Sequence, residues 1–126
     1  MGVLAGLVLG QGWVMDTAEV NEKYGKLLID DEKIEVGFKI VRDCFIFTDK
    51  RLLVVDVKGL TGTKVEYISL PYKSIVGFSV ESAGILSLSA DLKIWIDSWG
   101  EPIVKKFDKN TNIYDLQKMH AEHILS

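Results

Sequence analysis

The stretch from residue 42 to residue 56 constrains the fold of this chain more than any other. Two runs of β-branched, aromatic and aliphatic residues, 44–47 and 52–55, flank the polar segment 48–51. Runs of this composition around a short polar segment predict a β-hairpin. Neither run alternates cleanly between apolar and polar residues. We therefore expect both faces of the sheet to be covered, either by a second sheet layer or by another subunit.

Length, charge and cysteine content limit the classes of function. The chain has 126 residues, which suits a single domain with one core. Its formal net charge of −3 disfavours a general nucleic-acid binder, because such a protein needs surplus Lys and Arg to displace counterions from phosphates. Cys44 is the one cysteine, so an internal disulfide is excluded and a cytoplasmic protein is expected. We expect no metal and no cofactor.

Residues 1–30 are predicted to precede the sheet as an apolar segment and a short helix. Residues 1–10 are apolar, but a membrane span needs about twenty apolar residues and a secretion signal needs a basic start. We expect this segment to pack on its own domain or on a neighbour, with contact to a membrane surface as the alternative. Asp16 is placed as an N-cap with Glu19 three residues later, which predicts the helix. Its apolar stripe consists of Val20, Tyr24, Leu27 and Leu28.

Residues 31–126 are predicted to form the rest of the domain, beginning with seven strands. These strands are 34–41, 44–48, 51–57, 64–70, 74–82, 92–97 and 102–107. Short turns, such as the glycine-flanked 59–62, connect them, which is typical of an antiparallel sandwich or barrel. Residues 110–112 then supply a cap, and apolar residues recur at helical spacing after them. A C-terminal helix of about twelve residues is expected to cover an open end of the strands.

Several stretches of the chain resemble the bacterial pleckstrin-homology (PH) family. They are 41–43, 47–52, 59–62, 71–72, 83–84 and 92–96. The resemblance implies a mainly β, PH-like fold: a seven-stranded antiparallel sandwich or barrel capped by a C-terminal helix and preceded by a short N-terminal helical segment. It also implies a non-enzymatic domain whose relatives assemble as ring-shaped homo-oligomers. Residues 86–90 depart from the family, whose members carry more acidic residues there.

Trp95 is the strongest candidate for a contact between subunits. Period-two alternation in its strand places Trp95 on the outer face, between Lys93 and Asp97. An outward Trp indicates an interface, and the alternative is a Trp shielded by the N-terminal segment or by the turn at 98–101. We predict a homo-oligomer whose interface includes Trp95, Arg42, Asp43, Phe45 and Phe47. Arg42 and Asp43 are expected to pair with opposite charges across strands or between subunits and so to fix register, and the alternative is an anion or catalytic site beside the hairpin.

Basic residues at turns and strand ends are candidates for anion or lipid contacts. These residues are Lys50, Arg51, Lys58, Lys64 and Lys73. Because Asp49, Asp56 and Glu66 lie among them and dilute their field, solvated turns are the simpler interpretation. His120 and His123 stand three apart on the last helix, as in some metal sites, but with one adjacent acid we expect an ordinary helix face.

The sequence therefore predicts a PH-like interaction or scaffolding module that forms a homo-oligomer. Its partners would be further copies of itself and an unidentified protein, and no nucleic acid. We expect no enzyme activity, because no nucleophile stands beside a base. Peripheral binding to an anionic membrane, through the apolar start and the basic turns, is the alternative function.

Overall fold

The computed structural model describes residues 14–40, 42–81, 89–108 and 113–125. Within these ranges the chain forms eight strands, two α-helices and two short 3-10 helices. The described residues divide into one compact unit that ends at Tyr72 and another that begins at Lys73. The strands are β1 (Val14–Met15), β2 (Ile34–Ile40), β3 (Asp43–Thr48), β4 (Arg51–Lys58), β5 (Lys64–Pro71), β6 (Ile75–Glu81), β7 (Ser89–Ile96) and β8 (Ile103–Asp108). The helices are α1 (Thr17–Tyr24) and α2 (Ile113–Ile124).

The predicted hairpin is the centre of the first sheet. This antiparallel sheet has the order β1-β2-β3-β4-β5. Cys44 pairs with Val55 and Phe47 with Leu52, so β3 and β4 flank a turn at residues 49–50. All seven predicted strands are present, because β-branched runs and turn residues are local signals.

Both faces of the central strands are apolar and buried, but the element that covers one of these faces is not the one that we expected. One face carries Phe38, Phe45 and Phe47, which are fully buried; the ring centroid of Phe38 lies 5.4 Å from that of Phe45 and 6.0 Å from that of Phe47. The opposite face forms a buried cluster with α1: Cys44, Ile46, Leu53 and Val55 from the sheet, and Val20 and Tyr24 from the helix. The chain's own helix therefore covers this face, where we expected a second sheet layer or another subunit.

Helix α1 begins and packs as its sequence indicates. Oδ1 of Asp16 accepts a hydrogen bond from the backbone N–H of Ala18 at 2.9 Å, which caps the helix. The helix also lies very close to β2, because a Cβ added at Gly37 would stand 2.9 Å from Cγ2 of Val20. A glycine at this point of the strand therefore lets the helix approach the sheet.

The second unit combines a three-stranded antiparallel sheet with the C-terminal helix. Its strand order is β6-β7-β8. Helix α2 contacts β6, and the rings of His120 and Phe78 lie 5.8 Å apart. The mainly β architecture with a C-terminal helix is the one that the sequence predicted.

Candidate binding surfaces

Arg51 and Glu32 form an internal ion pair beside the β3–β4 hairpin. Nε and Nη2 of Arg51 donate to the Glu32 carboxylate at 2.9 and 3.0 Å. The same carboxylate accepts from Oγ1 of Thr48 at 2.7 Å and from the backbone N–H of Ile29 at 3.0 Å. Burial raises the pKa of Glu32, but the hydrogen bonds from Arg51, Thr48 and Ile29 outweigh it and hold the pKa below its ordinary value. This charge is therefore stabilised inside the fold.

The remaining bonds of Arg51 also serve the fold. Nη1 donates to Oγ of Ser69 at 2.7 Å, and Nη2 donates to the carbonyl oxygen of Leu27. The guanidinium thus connects the hairpin to β5 and to the residues after α1. Because internal acceptors engage Arg51, its predicted contact with an outside anion gains no support from this geometry.

The turn at 48–51 is also held by neighbouring groups. Oγ1 of Thr48 accepts the backbone N–H of Lys50 at 3.1 Å, and Oδ1 of Asp49 accepts that of Lys33 at 2.9 Å. The hydroxyl of Tyr72 donates to the carbonyl oxygen of Thr48. Burial is the main cause that raises the pKa of Tyr72, so this hydroxyl stays protonated as a donor. These hydrogen bonds stabilise the turn, so its polar groups have a structural role.

Arg42 and Asp43 bind the backbone at the far end of β4. Nη1 of Arg42 donates to the carbonyl oxygen of Gly59 at 2.6 Å, and Nη2 donates to that of Val57 at 3.3 Å. Oδ1 of Asp43 accepts the backbone N–H of Val57 at 2.8 Å. These bonds hold the end of β4 against the β2–β3 turn. Backbone groups of β4 are therefore the partners that fix register here, where the sequence predicted side chains of opposite charge. Their role between subunits stays a prediction.

The other basic candidates lie on the surface. Nζ of Lys58 forms an ion pair with Oε1 of Glu66 at 2.8 Å, and this carboxylate raises the pKa of Lys58. Lys50, Lys64 and Lys73 are exposed. Lys58 is paired with Glu66, as Arg51 is paired with Glu32, and these carboxylates weaken the attraction of the turns for an anion. Binding of an anion or a lipid here stays a prediction.

One face of the second sheet presents an exposed aromatic residue. Trp95 is 39% exposed, whereas its neighbours on the strand, Ile94 and Ile96, are buried, which confirms that its side chain points outward. Trp95 pairs with Gly77, and a Cβ added there would lie 3.8 Å from Cε3 of the indole. Val104 is 44% exposed and pairs with a residue two positions from Trp95, so it shares this face. We call this surface, defined by Gly77, Lys93, Trp95 and Val104, the Trp95 face.

Phe45 and Phe47 are not available to a second subunit. Both side chains have 0% exposure. Alternation shows which residues share a face, but it does not show which face lies inside when both are apolar. The structure therefore removes these two residues from the predicted interface and leaves Trp95 as its aromatic candidate.

The two histidines lie on the buried side of α2. His120 has 0% exposure and His123 has 7%, and Nδ1 of His123 lies 3.0 Å from the carbonyl oxygen of Met119. In the part of the chain that the structure describes, no three His, Cys, Asp or Glu residues are grouped so as to hold a metal ion. Across those same ranges, no helix has the length and apolar character needed to span a membrane.

Comparison with known proteins identifies the class of this architecture. The structure is similar to the crystal structure of a pleckstrin homology domain from Shewanella amazonensis SB2B. That crystal structure is 39% identical in sequence, covers 96% of this chain and 98% of its own, and superimposes with a TM-score of 0.81. A DUF1696-family protein with a PH domain from Shewanella loihica PV-4 is 38% identical, covers 89% of this chain and 96% of its own, and gives a TM-score of 0.74.

Sequence comparison gives the family. The bacterial PH domain family matches residues 4–124. The uncharacterized protein YjqA of Bacillus subtilis strain 168 is 50% identical over 122 residues, which is 96% of this chain and 97% of that protein. This chain belongs to the bacterial PH domain family, as the resemblance of its motifs predicted.

Proposed function

We propose that this chain is a non-enzymatic PH-like module that assembles into a homo-oligomer and presents a repeated surface to another protein. The exposed indole of Trp95 is the observation that carries the proposal. Trp is enriched at the centres of protein interfaces, because its ring buries a large area at a small cost in conformational entropy. Trp95 lies on β7, whose backbone sets the direction in which its side chain points.

The surroundings of Trp95 support an interface. Val104 adds apolar surface on the same face. Nζ of Lys106 forms an ion pair with Oδ1 of Asp91 at 3.1 Å, one further step along the same two strands. An apolar centre bordered by paired charges is the usual arrangement of a protein interface. A second copy that covers Trp95 would also cover Val104.

A charge at Trp95 is expected to dissociate the oligomer. In Trp95→Glu, a carboxylate replaces the indole at the proposed contact, so association would require burying an unpaired charge. Light scattering coupled to size exclusion should give a smaller mass for this variant than for the unchanged protein. The matched control is Tyr114→Glu, which places the same charge at a 75% exposed aromatic on α2 and should keep the full mass. A folded Trp95→Glu protein with unchanged mass would reject this interface.

Binding to an anionic membrane is the second candidate. Lys50, Lys64 and Lys73 are exposed and supply positive charge for it. We place it second because Arg51 and Lys58 each form an ion pair with a carboxylate of this chain. Co-sedimentation with vesicles that increases with their content of anionic lipid would move it to first place.

A further inference from the structure

A groove of about 460 Å³ lies on the first unit, between α1 and the strands beyond it. Its floor consists of Tyr24, Cys44 and Val55, which belong to the cluster that α1 forms with the sheet. We call it the α1 groove. Its volume falls within the range of about 300 to 1,000 Å³ that is usual for small-molecule sites.

The far wall of the α1 groove is apolar and faces water. It includes Val57, Val65 and Tyr67, from β4 and β5. Val65 is 37% exposed and Tyr67 is 50% exposed. Apolar groups exposed side by side lose contact with water when an apolar ligand covers them, and this transfer favours binding. The wall and floor together suit the apolar body of a ligand.

The rim of the α1 groove is cationic. Lys23, Lys39 and Arg42 contribute three positive charges, and Glu19 contributes one negative charge. The net charge of the rim is therefore positive, whereas the formal net charge of the whole chain is −3. A rim with this excess of positive charge attracts an anion.

Two of these cations are held near the floor and wall. Nζ of Lys23 lies 5.6 Å from the ring centroid of Tyr24. The bonds from Arg42 to the carbonyl oxygens of Val57 and Gly59 use two of the five N–H donors of a guanidinium. Lys39 is an exposed residue of β2 with a flexible side chain that can reach an incoming group.

We propose that the α1 groove binds a small free organic acid, a compact aromatic or acyl body that carries one anionic group. The body would cover Val65 and Tyr67, and the anionic group would lie among Lys23, Lys39 and Arg42. The residues of the α1 groove belong to the first unit and those of the Trp95 face to the second. The proposed binding therefore does not depend on assembly through the Trp95 face.

The test uses two fluorescent probes on the full-length protein. One is 8-anilinonaphthalene-1-sulfonate, and the other is N-phenyl-1-naphthylamine, which has the same ring system without the sulfonate. We expect the sulfonate to bind about tenfold more tightly than the neutral amine, a difference that should shrink as salt screens the rim. Equal affinities for the two probes would overturn the proposal.

Lysine variants locate the anionic group. Lys39→Gln should weaken sulfonate binding roughly fivefold, the upper end for one partly exposed charge pair, while Lys39→Arg should retain it. Lys33→Gln is the matched control, because it removes an exposed lysine of the same unit that does not line the α1 groove, and it should leave the affinity unchanged. If Lys39→Gln binds the sulfonate as tightly as the unchanged protein, or if Lys33→Gln weakens it equally, the α1 groove is not the site.

Discussion

Replacing Arg51 with Met is expected to lower the free energy of unfolding by about 3 kcal/mol at neutral pH. The Glu32 side chain has 0% exposure, so the variant leaves a buried carboxylate without its cation. Thr48 and the backbone N–H of Ile29 still donate to it, but they carry no charge. Met keeps most of the length of the Arg side chain, so little packing is lost. Urea unfolding followed by circular dichroism, at one fixed protein concentration, measures the change.

The effect of Arg51→Met should depend on pH. The folded-state pKa of Glu32 lies below the ordinary value of 4.5, so the carboxylate contributes stability above that value and loses it as pH falls through the lowered pKa. In the variant the buried carboxyl takes up a proton more readily. The difference in unfolding free energy should therefore be largest near pH 7 and shrink towards about pH 4.

The neighbouring lysine provides the control for this variant. Lys50→Met removes an exposed charge from the same turn and should change the unfolding free energy by less than about 0.5 kcal/mol. A loss for Arg51→Met no larger than that of Lys50→Met would contradict the ion pair's role. So would a large loss that stays constant from neutral to acidic pH.

Replacing Gly37 with Val is expected to lower the free energy of unfolding by about 2 to 3 kcal/mol. The first added carbon would already stand 2.9 Å from Cγ2 of Val20, a side chain with 0% exposure, so the helix or the strand must shift. Val is well suited to a β-strand, so the cost arises from overpacking rather than from strand propensity. Urea unfolding at a fixed protein concentration again gives the measurement.

A second substitution tests whether the overpacking involves α1. Val20→Ala alone should destabilise the protein by roughly 2 kcal/mol, because it leaves a cavity under the helix. In the double variant the added Val side chain occupies part of that space, so the combined loss should be well below the sum of the two single losses. Simple additivity would mean that Gly37 and Val20 are not in contact in solution.

The strands and helices could be predicted because their signals are local. The turn residues and the apolar runs of β3 and β4 mark a hairpin without any knowledge of the rest of the chain. The position of α1 on the sheet could not be predicted in this way, because an apolar stripe shows that a helix is covered but not by what. Gly37 is the residue that could have indicated this position, since a glycine inside a strand marks close approach of another element.

The polar sites were harder to predict than the fold. Glu32 and Arg51 are 19 residues apart, and an acid in a polar connection looks solvated until the fold brings its partner to it. The rim of the α1 groove draws Lys23 from α1, Lys39 from β2 and Arg42 from the turn after it. These three residues form no cluster in the sequence. Trp95 was predictable, because the period of a strand fixes the face of each residue.

The solution mass of the unchanged full-length protein tests the proposed assembly most directly. Light scattering coupled to size exclusion measures it without a label and over a range of protein concentrations. We expect a mass of at least twice the 14.1 kDa of one chain, because Trp95 and Val104 would be covered by a second copy. A mass of 14.1 kDa at every concentration would contradict self-assembly through the Trp95 face.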